Sequence, residues 1–263
     1  MLFDSHTHLD GERFDEDRDA VIARAKEAGV SWIINPGADM ESSIRAVAMA
    51  AKYDIIYAAV GIHPHDAKST QGSDWSWAKL EALAKAPKVV AIGEIGLDYY
   101  YDFSPRDVQK EVFKYQIGLA KALKMPIIVH DRDAHQDVFD ILSETNAFEN
   151  GVLMHCFSGS AELAKQYVAR GAYISLGGPI TYKNARKSHE VIEAITLDRL
   201  MIETDAPYLT PMPFRGKRNE SAYVHYVCEK MAALKGVSYN QVATATANNA
   251  LRFFKIDEVH SCE

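Results

Sequence analysis

Eight short apolar segments recur along this chain, and polar stretches that favour helices separate them. Most of the segments are unbroken apolar runs rather than alternations of apolar and polar residues, which is typical of parallel strands buried on both faces. Eight such strands alternating with helices over 263 residues predict an α/β fold, a single-domain (β/α)8 TIM barrel. The predicted strands comprise residues 2–5, 32–35, 55–60, 89–93, 127–130, 152–155, 173–176 and 200–203.

Helical patterns fill the intervals between these strands. The clearest predicts a helix over 105–124, with Ser104 as its N-cap and Pro105 at its first position. Its predicted buried stripe consists of Val108, Val112, Tyr115, Leu119 and Ala122. Further helices are predicted over 17–28, 161–170, 220–235 and 239–254. We therefore expect one barrel domain over residues 1–256, followed by a frayed polar tail over 257–263.

Composition and charge restrict the class of protein. The formal net charge of −7 disfavours a protein that coats nucleic acid non-specifically, because such proteins are usually basic. Three widely spaced cysteines without a CxxC pair favour a reducing compartment, so we expect a cytoplasmic protein. No apolar run reaches the ~18 residues of a membrane span, and no secretory leader is visible. We expect neither a membrane nor an obligate protein partner.

Titratable residues stand at the C-terminal ends of six predicted strands, where barrels of this class carry their chemistry. The first strand ends in His-Thr-His and the eighth in Glu-Thr-Asp, and residues two apart on an extended chain point to the same side. Imidazoles and carboxylates that converge on one point are costly to bury without a cation between them. The residues at these ends include His6, His8, His63, Glu94, His130, Arg132, His155, Glu203 and Asp205.

Most of these residues predict a metal site. Four imidazoles and two carboxylates exceed the three protein ligands of a single catalytic zinc. They fit two divalent cations about 3.5–4 Å apart with one bridging carboxylate. Glu94 is the expected bridge, since its strand faces the lumen between the two groups. The mixed ligands suit Zn, Mn, Co or Ni, with Mg as an alternative at the more carboxylate-rich position. The predicted ligands are His6, His8, Glu94, His130, His155 and Asp205.

Longer motifs in the chain resemble those of the TatD family of metal-dependent deoxyribonucleases, which belong to the amidohydrolase-like hydrolases. The motifs are LFDSHTHLD, GIHPH, IGEIGLDY, PIIVHDRDAHQD, MHCFSG and LMIETDAPYLTP, and the resemblance extends from the first strand to about Phe254. It implies a metal-dependent hydrolase with the same six ligands. It further implies that Glu203 and His63 support the site, beside the ligands or towards the substrate.

The resemblance and the basic loops together predict a deoxyribonuclease that cleaves phosphodiester bonds with a metal-activated water. Asp205 is the expected general base, and Glu203 is the second carboxylate assigned to catalysis. Arg132 and Arg215, the latter in an RGKR segment, are placed to bind phosphate, with an ordinary solvated loop as the alternative.

The acidic chain favours a substrate met at its end rather than a long duplex. DNA ends or single-stranded DNA are therefore the expected partner, and a 3′–5′ exonuclease or a single-strand-specific enzyme is the expected activity. Tyr100, Tyr101 and Phe103 follow the fourth strand and could stack on a base, or pack within their own loop.

Two alternative functions remain open. The first is an amidohydrolase or lactonase that acts on a small molecule with the same metal pair. Many such sites bridge the metals with a carboxylated lysine on strand four, whereas this chain has Glu94 there and no lysine in VVAIGEIGLD. The second is a non-catalytic scaffold stabilised by metals. Structural metal sites are normally saturated by protein ligands, which disfavours that alternative for a site with an open water position.

Overall fold

The computed structural model describes residues 1–73 and 75–257, and its strands form one parallel sheet arranged in chain order. The strands are β1 (Leu2–Asp4), β2 (Val30–Pro36), β3 (Ile56–Val60), β4 (Val89–Asp98), β5 (Ile127–Arg132), β6 (Val152–Met154), β7 (Tyr173–Leu176) and β8 (Leu200–Ile202). Ser5 N donates to Ile202 O at 3.1 Å, and Asp205 N donates to His6 O at 2.9 Å. These bonds join the last strand to the first, and the predicted barrel is confirmed.

Helices occupy the connections between strands and continue after the last one. Within the described ranges they are α1 (Arg18–Glu27), α2 (Met40–Lys52), α3 (Trp77–Ala84), α4 (Arg106–Leu123), α5 (His135–Glu144), α6 (Ala161–Ala169), α7 (Arg186–Ala194), α8 (Val224–Lys235) and α9 (Tyr239–Phe254). Gly29 follows α1 with a φ of 84°, a left-handed conformation that glycine adopts without a Cβ clash, and leads the chain into β2.

Apolar side chains cover both faces of the sheet. On the outer face, residues such as Ile33, Ile92 and Val129 pack in one core with the surrounding helices. On the inner face, the alternate residues Ile34 and Ile128 belong to a second cluster that includes the side chains of α9. Burial on both faces explains why the strands read as continuous apolar runs in the sequence.

Helix α9 covers the N-terminal end of the barrel. Its Phe254 stacks on Phe3 of β1 with 5.9 Å between ring centroids, and both rings are buried. The amide of Asn249 donates to the carbonyl of Leu200, where β8 begins, at 2.8 Å. The opposite, C-terminal end of the barrel is therefore the end left for polar residues.

The start of α4 differs from the prediction. Ser104 does not cap this helix, because its hydroxyl donates to His65 O at 2.8 Å and accepts from Lys68 N at 3.0 Å. The N-cap is Pro105, which makes no side-chain capping bond. Ser104 therefore links the residues just before α4 to the loop after β3, and it does not cap the helix.

The buried face of α4 also differs from the predicted stripe. Tyr115 is 48 % exposed, whereas Gln116 is fully buried. The Gln116 amide accepts from Ile62 N at 2.7 Å and donates to Ile62 O at 3.0 Å, so this polar side chain satisfies the backbone just beyond β3. A stripe chosen by apolarity alone misses a glutamine of this kind.

The predicted tail over 257–263 lies almost wholly beyond the described residues, which end at Asp257. Within residues 1–73 and 75–257, none of the helices combines the length and the apolarity needed to cross a membrane.

Candidate metal centre

The C-terminal end of the barrel brings together all six residues that the sequence predicts as metal ligands. His6 and His8 follow β1, Glu94 and His130 lie in β4 and β5, and His155 and Asp205 follow β6 and β8. The six residues meet because parallel strands end on the same side of a sheet, although they are spread over 200 positions of the chain.

Glu94 lies at the centre of this group, and its two carboxylate oxygens face different histidines. Oε2 lies 3.2 Å from His6 Nε2 and 3.5 Å from His8 Nε2. Oε1 lies 2.9 Å from His130 Nδ1 and 2.9 Å from His155 Nε2. The carboxylate therefore stands between two imidazole pairs, in the position that the sequence predicts for a bridge.

Asp205 completes the group around the His-Thr-His segment. Its Oδ1 lies 3.6 Å from His8 Nε2 and 3.9 Å from His6 Nε2, and these two nitrogens are 3.2 Å apart. Asp205 has a φ of 55°, so the chain turns sharply here and directs the carboxylate back towards β1. Three donor atoms from opposite ends of the sequence thus face one point.

Glu203 lies behind the ligand group rather than in front of it. Its Oε1 is 3.3 Å from His155 Nδ1 and accepts from Cys156 N at 2.8 Å. The carboxylate therefore holds the far side of the His155 ring, whose face stacks on His6 with 3.7 Å between ring centroids. A carboxylate in this position orients a histidine ligand and increases its basicity.

Two histidines of the site are neutral at pH 7. Burial and the neighbouring His155 lower the pKa of His6 to about 4. Burial and the neighbouring His130 lower the pKa of His63 to about 3. A neutral imidazole retains a nitrogen lone pair, which is the form that binds a metal.

His8 and Glu94, by contrast, are charged in the absence of a metal. Burial opposes charge on His8, but the hydrogen bond and charge of Glu94 and the charge of Asp205 raise its pKa to about 9. Burial likewise opposes charge on Glu94, but the nearby His155 and His6 hold its pKa well below the usual range. Protons on the histidines thus compensate the carboxylates, and a bound cation would take the place of those protons.

The donor set fits divalent cations. Within the described residues, three groups offer one ligand atom per residue, all within 4.8 Å of one another. These groups are His6, His155 and Glu203; His6, His8 and Asp205; and His63, Glu94 and His130. Nδ1 of His6 and Oε2 of Glu203 are buried without a hydrogen-bond partner. Imidazole and carboxylate in these proportions match the preferences of zinc, manganese and related ions.

Comparison with known proteins agrees with this geometry. A family model described as TatD related DNase matches residues 3–255. The chain belongs to the TatD family. It is therefore a TatD-family metal-dependent hydrolase, as the motifs predicted.

Relatives of this TatD-family chain carry names of different precision. The uncharacterized metal-dependent hydrolase YabD of Bacillus subtilis is 51 % identical over 257 residues, which cover 98 % of this chain and 100 % of YabD. The 3′–5′ ssDNA/RNA exonuclease TatD of Cronobacter turicensis is 37 % identical, with 96 % of this chain and 97 % of that protein covered. The crystal structure of YjjV, a TatD homologue from Escherichia coli K12, has a TM-score of 0.90 at 34 % identity and covers 97 % of this chain and 98 % of its own.

Asp98 is a site residue of this TatD-family chain that the sequence analysis missed. Its Oδ2 lies 3.0 Å from His130 Nε2 and 2.9 Å from His65 Nε2. The side chain is fully buried, and although burial opposes its charge, the hydrogen bond to His130 helps hold its pKa below the usual value. Strand β4 was predicted to end at Gly93 but continues to Asp98, which places this carboxylate behind His130.

The structure places His63 and Arg132, two of the predicted substrate-binding residues, on the same side of the site. His63 Nε2 lies 3.5 Å from Glu94 Oε1, so His63 contacts the predicted ligand group itself. Arg132 ends β5, and its guanidinium lies over the rings of Tyr100 and Tyr101 at 4.0 and 4.8 Å. Arg132 therefore stands at the edge of the site in this TatD-family chain.

The RGKR segment is divided between two roles. Arg215 is exposed and lies over the Tyr182 ring at 4.4 Å, in a groove of about 590 Å³. Arg218, by contrast, forms a two-pronged ion pair with Asp17 at 2.8 and 2.6 Å and lies over the Phe14 ring at 4.7 Å. Arg218 ties the loop after β8 to the start of α1 and is not free to bind phosphate.

Cys156 follows His155 in the sequence, and strand alternation would turn its side chain away from the site into the core, but the structure places it otherwise. It is partly exposed, adopts a φ of 43°, and lies near enough to the metal centre to interact with Glu203 and Asp205. Burial and the negative charge of Glu203 raise the pKa of this thiol well above its usual value, so it stays protonated. The reversal of the backbone at Cys156 turns its N–H towards Glu203, which the rule of alternating strand residues does not anticipate.

Proposed function

We propose that this protein is a divalent-metal-dependent phosphodiesterase that removes nucleotides from the 3′ end of single-stranded DNA. The observation that carries the proposal is the position of Glu94, whose two oxygens face the His6–His8 pair and the His130–His155 pair separately. This is the arrangement expected of a carboxylate shared by two cations. The name of the Cronobacter turicensis relative, a 3′–5′ ssDNA/RNA exonuclease, supports the choice of substrate.

The proposal assigns two cations to the site. His6, His8 and Asp205 would hold one cation, because their donor atoms lie within 4.8 Å of one another. His130 and His155, each 2.9 Å from Glu94 Oε1, would hold the other, with Glu94 shared between the two. Zinc, manganese, magnesium, cobalt and nickel are the ions to test. When bound, such a pair acidifies a water molecule and neutralises the charge that develops on the phosphoryl oxygens. Glu203 and Asp98 hold the outer nitrogens of His155 and His130 and keep the two rings in place.

Asp205 is proposed as the general base. Burial raises the pKa of its carboxyl to about 6, against the opposing effect of His155 and His8, so it is ionised at pH 7 yet basic enough to accept a proton. The oxygen of water forms a bond to phosphorus while the bond from phosphorus to the 3′ oxygen of the preceding nucleotide breaks. Asp205 takes the proton from water and returns it to that leaving oxygen.

Two arginines at the edge of the barrel, the partly exposed Arg132 and the exposed Arg215, are proposed to bind the phosphates of the strand. Among the described residues, ring faces and not a carboxylate contact the Arg132 guanidinium, so its N–H groups are available to phosphate. The groove at Arg215 is lined also by Lys183, Asn184 and Ser188, and its lining within residues 1–73 and 75–257 includes no acidic side chain. These local sites suit a strand end, whereas the overall charge of −7 would repel a long duplex.

We further propose that the enzyme works in the cytoplasm and needs no obligate protein partner. Cys156 and Cys228 are both free thiols in the described structure, which is consistent with a reducing compartment.

The test is the degradation of a single-stranded oligonucleotide by the purified enzyme, loaded with each metal in turn. A 5′-labelled strand should shorten stepwise, whereas a strand blocked by a 3′-phosphorothioate linkage should stay intact. The rate at which RNA of the same sequence is degraded shows whether the enzyme distinguishes ribose from deoxyribose. Intact oligonucleotides with every metal, together with turnover of a lactone or cyclic amide, would replace the nuclease proposal with the small-molecule hydrolase.

A further inference from the structure

Three aromatic side chains beside the metal centre are exposed to solvent. Tyr100, Tyr101 and Phe103 are 59 %, 46 % and 55 % exposed. Tyr101 and Phe103 stack on each other with 5.2 Å between ring centroids, and Tyr100 meets Tyr101 edge-on at 4.9 Å. The preceding Tyr99 behaves differently, because its hydroxyl donates to Asp137 at 2.6 Å. A contact with α5 therefore accounts for Tyr99, whereas the other three rings face water.

Asp98 fastens this aromatic patch to the metal centre. Its Oδ1 accepts from the backbone N–H groups of Tyr100 and Tyr101 at 3.0 and 2.8 Å. Its Oδ2 contacts His130 Nε2 at 3.0 Å and His65 Nε2 at 2.9 Å. One buried carboxylate thus positions a predicted metal ligand with one oxygen and the aromatic loop with the other. The rings are held at a fixed place relative to the reacting centre.

His65 and Arg132 complete the patch. The His65 ring meets Tyr101 and Phe103 edge-on, with 5.3 and 4.9 Å between centroids. The Arg132 guanidinium lies over the rings of Tyr100 and Tyr101, and none of the carboxylates in the described part of the chain lies within 4.0 Å of it. The patch therefore combines ring faces for an apolar planar group with a cation for an anion next to it.

A nucleotide has both of these properties, since its base is planar and its phosphate is anionic. Base–aromatic stacking is sequence-tolerant and is the usual way in which proteins bind unpaired bases. A base inside a duplex is already stacked and paired on its neighbours, so it cannot place its face on these rings. The patch therefore suits an unpaired base better than a base inside a duplex.

We propose that Tyr100, Tyr101 and Phe103, with Arg132, form a stacking platform that binds a base near the 3′ end of the strand and makes the enzyme prefer single strands. This inference rests on the proposed nuclease function. It assigns substrate specificity to a loop that contributes no metal ligand. Asp98 is a positioning residue in this scheme, because it acts on the substrate only through the loop and through His130.

The experiment compares oligonucleotides that carry a base with oligonucleotides that lack one. A set of single strands, each with one abasic site among its last four nucleotides, is degraded by the metal-loaded wild-type enzyme and by the triple variant Tyr100→Ala, Tyr101→Ala, Phe103→Ala. For the wild type, the abasic site at one position should raise KM about tenfold, the scale of one lost stacking contact. For the variant, KM should be raised for every strand, and that abasic position should have no further effect.

Matched variants separate stacking from folding. Tyr100→Phe and Tyr101→Phe keep the rings and should retain the preference for the base that the triple variant loses. Tyr115→Ala removes an exposed tyrosine that stacks on Trp77 of α3, outside the platform, and should keep the wild-type KM. Quenching of 2-aminopurine, placed at the sensitive position of a phosphorothioate strand, should occur with the wild type and be lost with the triple variant. An equal KM for normal and abasic strands in the wild type, or a variant that keeps the preference for the base, would overturn the platform. A wild type that degrades no strand at all would instead overturn the nuclease proposal itself.

Discussion

The two ends of the barrel are built from the same strands but are stabilised in opposite ways. At the N-terminal end, α9 covers the strands with apolar side chains, and Phe254 stacks on Phe3 out of contact with water. At the C-terminal end, Glu94, Asp205 and the histidines around them are buried against one another and compensate their charges only through shared protons. One end contributes stability, and the other places groups that need a cation. The difference shows that stability and reactivity are separable in this fold, and substitutions can test that separation.

The largest expected effect is at the centre of the polar end. Glu94→Gln removes the shared charge from both imidazole pairs, so we expect activity to fall on the order of a thousandfold or more. Oligonucleotide hydrolysis and metal content by mass spectrometry measure the two losses, with the exposed Glu41→Gln as a control. A variant that keeps more than about a tenth of the activity would show that the carboxylate is not shared.

A second substitution at the same end separates metal binding from proton transfer. Asp205→Asn keeps the size of the side chain but removes the proposed general base, and we expect kcat to fall about 10²–10⁴-fold. Metal content should fall much less than kcat, because the two histidines beside Asp205 are retained. Loss of metal in proportion to activity would instead make Asp205 a ligand without a separate role in proton transfer.

The opposite end should respond in stability and not in chemistry. Phe254→Ala removes a buried ring and leaves a cavity, so we expect the free energy of unfolding to fall by about 3–5 kcal/mol. Urea denaturation measures this loss, while kcat per folded molecule should stay at the wild-type value. A fall in kcat without loss of folded protein would show that the two ends are coupled.

A smaller effect is expected at Asp98, whose carboxylate contacts the rings of His130 and His65. Asp98→Asn leaves an amide that can accept one hydrogen bond but carries no charge towards His130 and His65. We expect metal affinity to fall about 10–100-fold, the usual effect of losing a carboxylate behind a ligating histidine. Competition with a chelator measures this change, and an unchanged affinity would mean that His130 is held by other contacts.

The smallest effects distinguish two arginines of one loop. Arg215→Ala removes an exposed cation from the groove at Tyr182 and should raise KM for oligonucleotides by a few fold, on the order of 1 kcal/mol. Arg218→Ala should leave KM unchanged, because that side chain is engaged by Asp17. Equal changes in KM for the two substitutions would show that the position of Arg215 in the groove gives it no special role in binding the strand.

The sequence predicted the barrel and its reactive end well, because both depend on local patterns. Buried parallel strands read as apolar runs, and titratable residues after such runs must meet at the same end. The predicted ligands are brought together by the structure, and their metal binding remains a prediction.

The errors arose where distant contacts decide a residue's role. Gly93 was predicted to end β4, yet the strand continues and carries Asp98 into the site. A side chain at Gly96 would meet the carbonyl oxygen of His130 at 1.9 Å, so this glycine allows β5 to approach closely. The RGKR segment was expected to bind phosphate, yet its Arg218 pairs with Asp17, which lies 201 positions away in the chain. The sequence around Arg218 gives no indication that Asp17 is its partner.

The hydrogen bond from Asp205 N to His6 O lies where the barrel closes between β8 and β1, so the candidate metal centre takes residues from both sides of this junction. A ribosome-bound chain that has emerged only as far as β7 already carries His6 and His8 but still lacks Asp205. The predicted set of donor atoms is therefore complete only after the last strand and the turn that follows it have been synthesised.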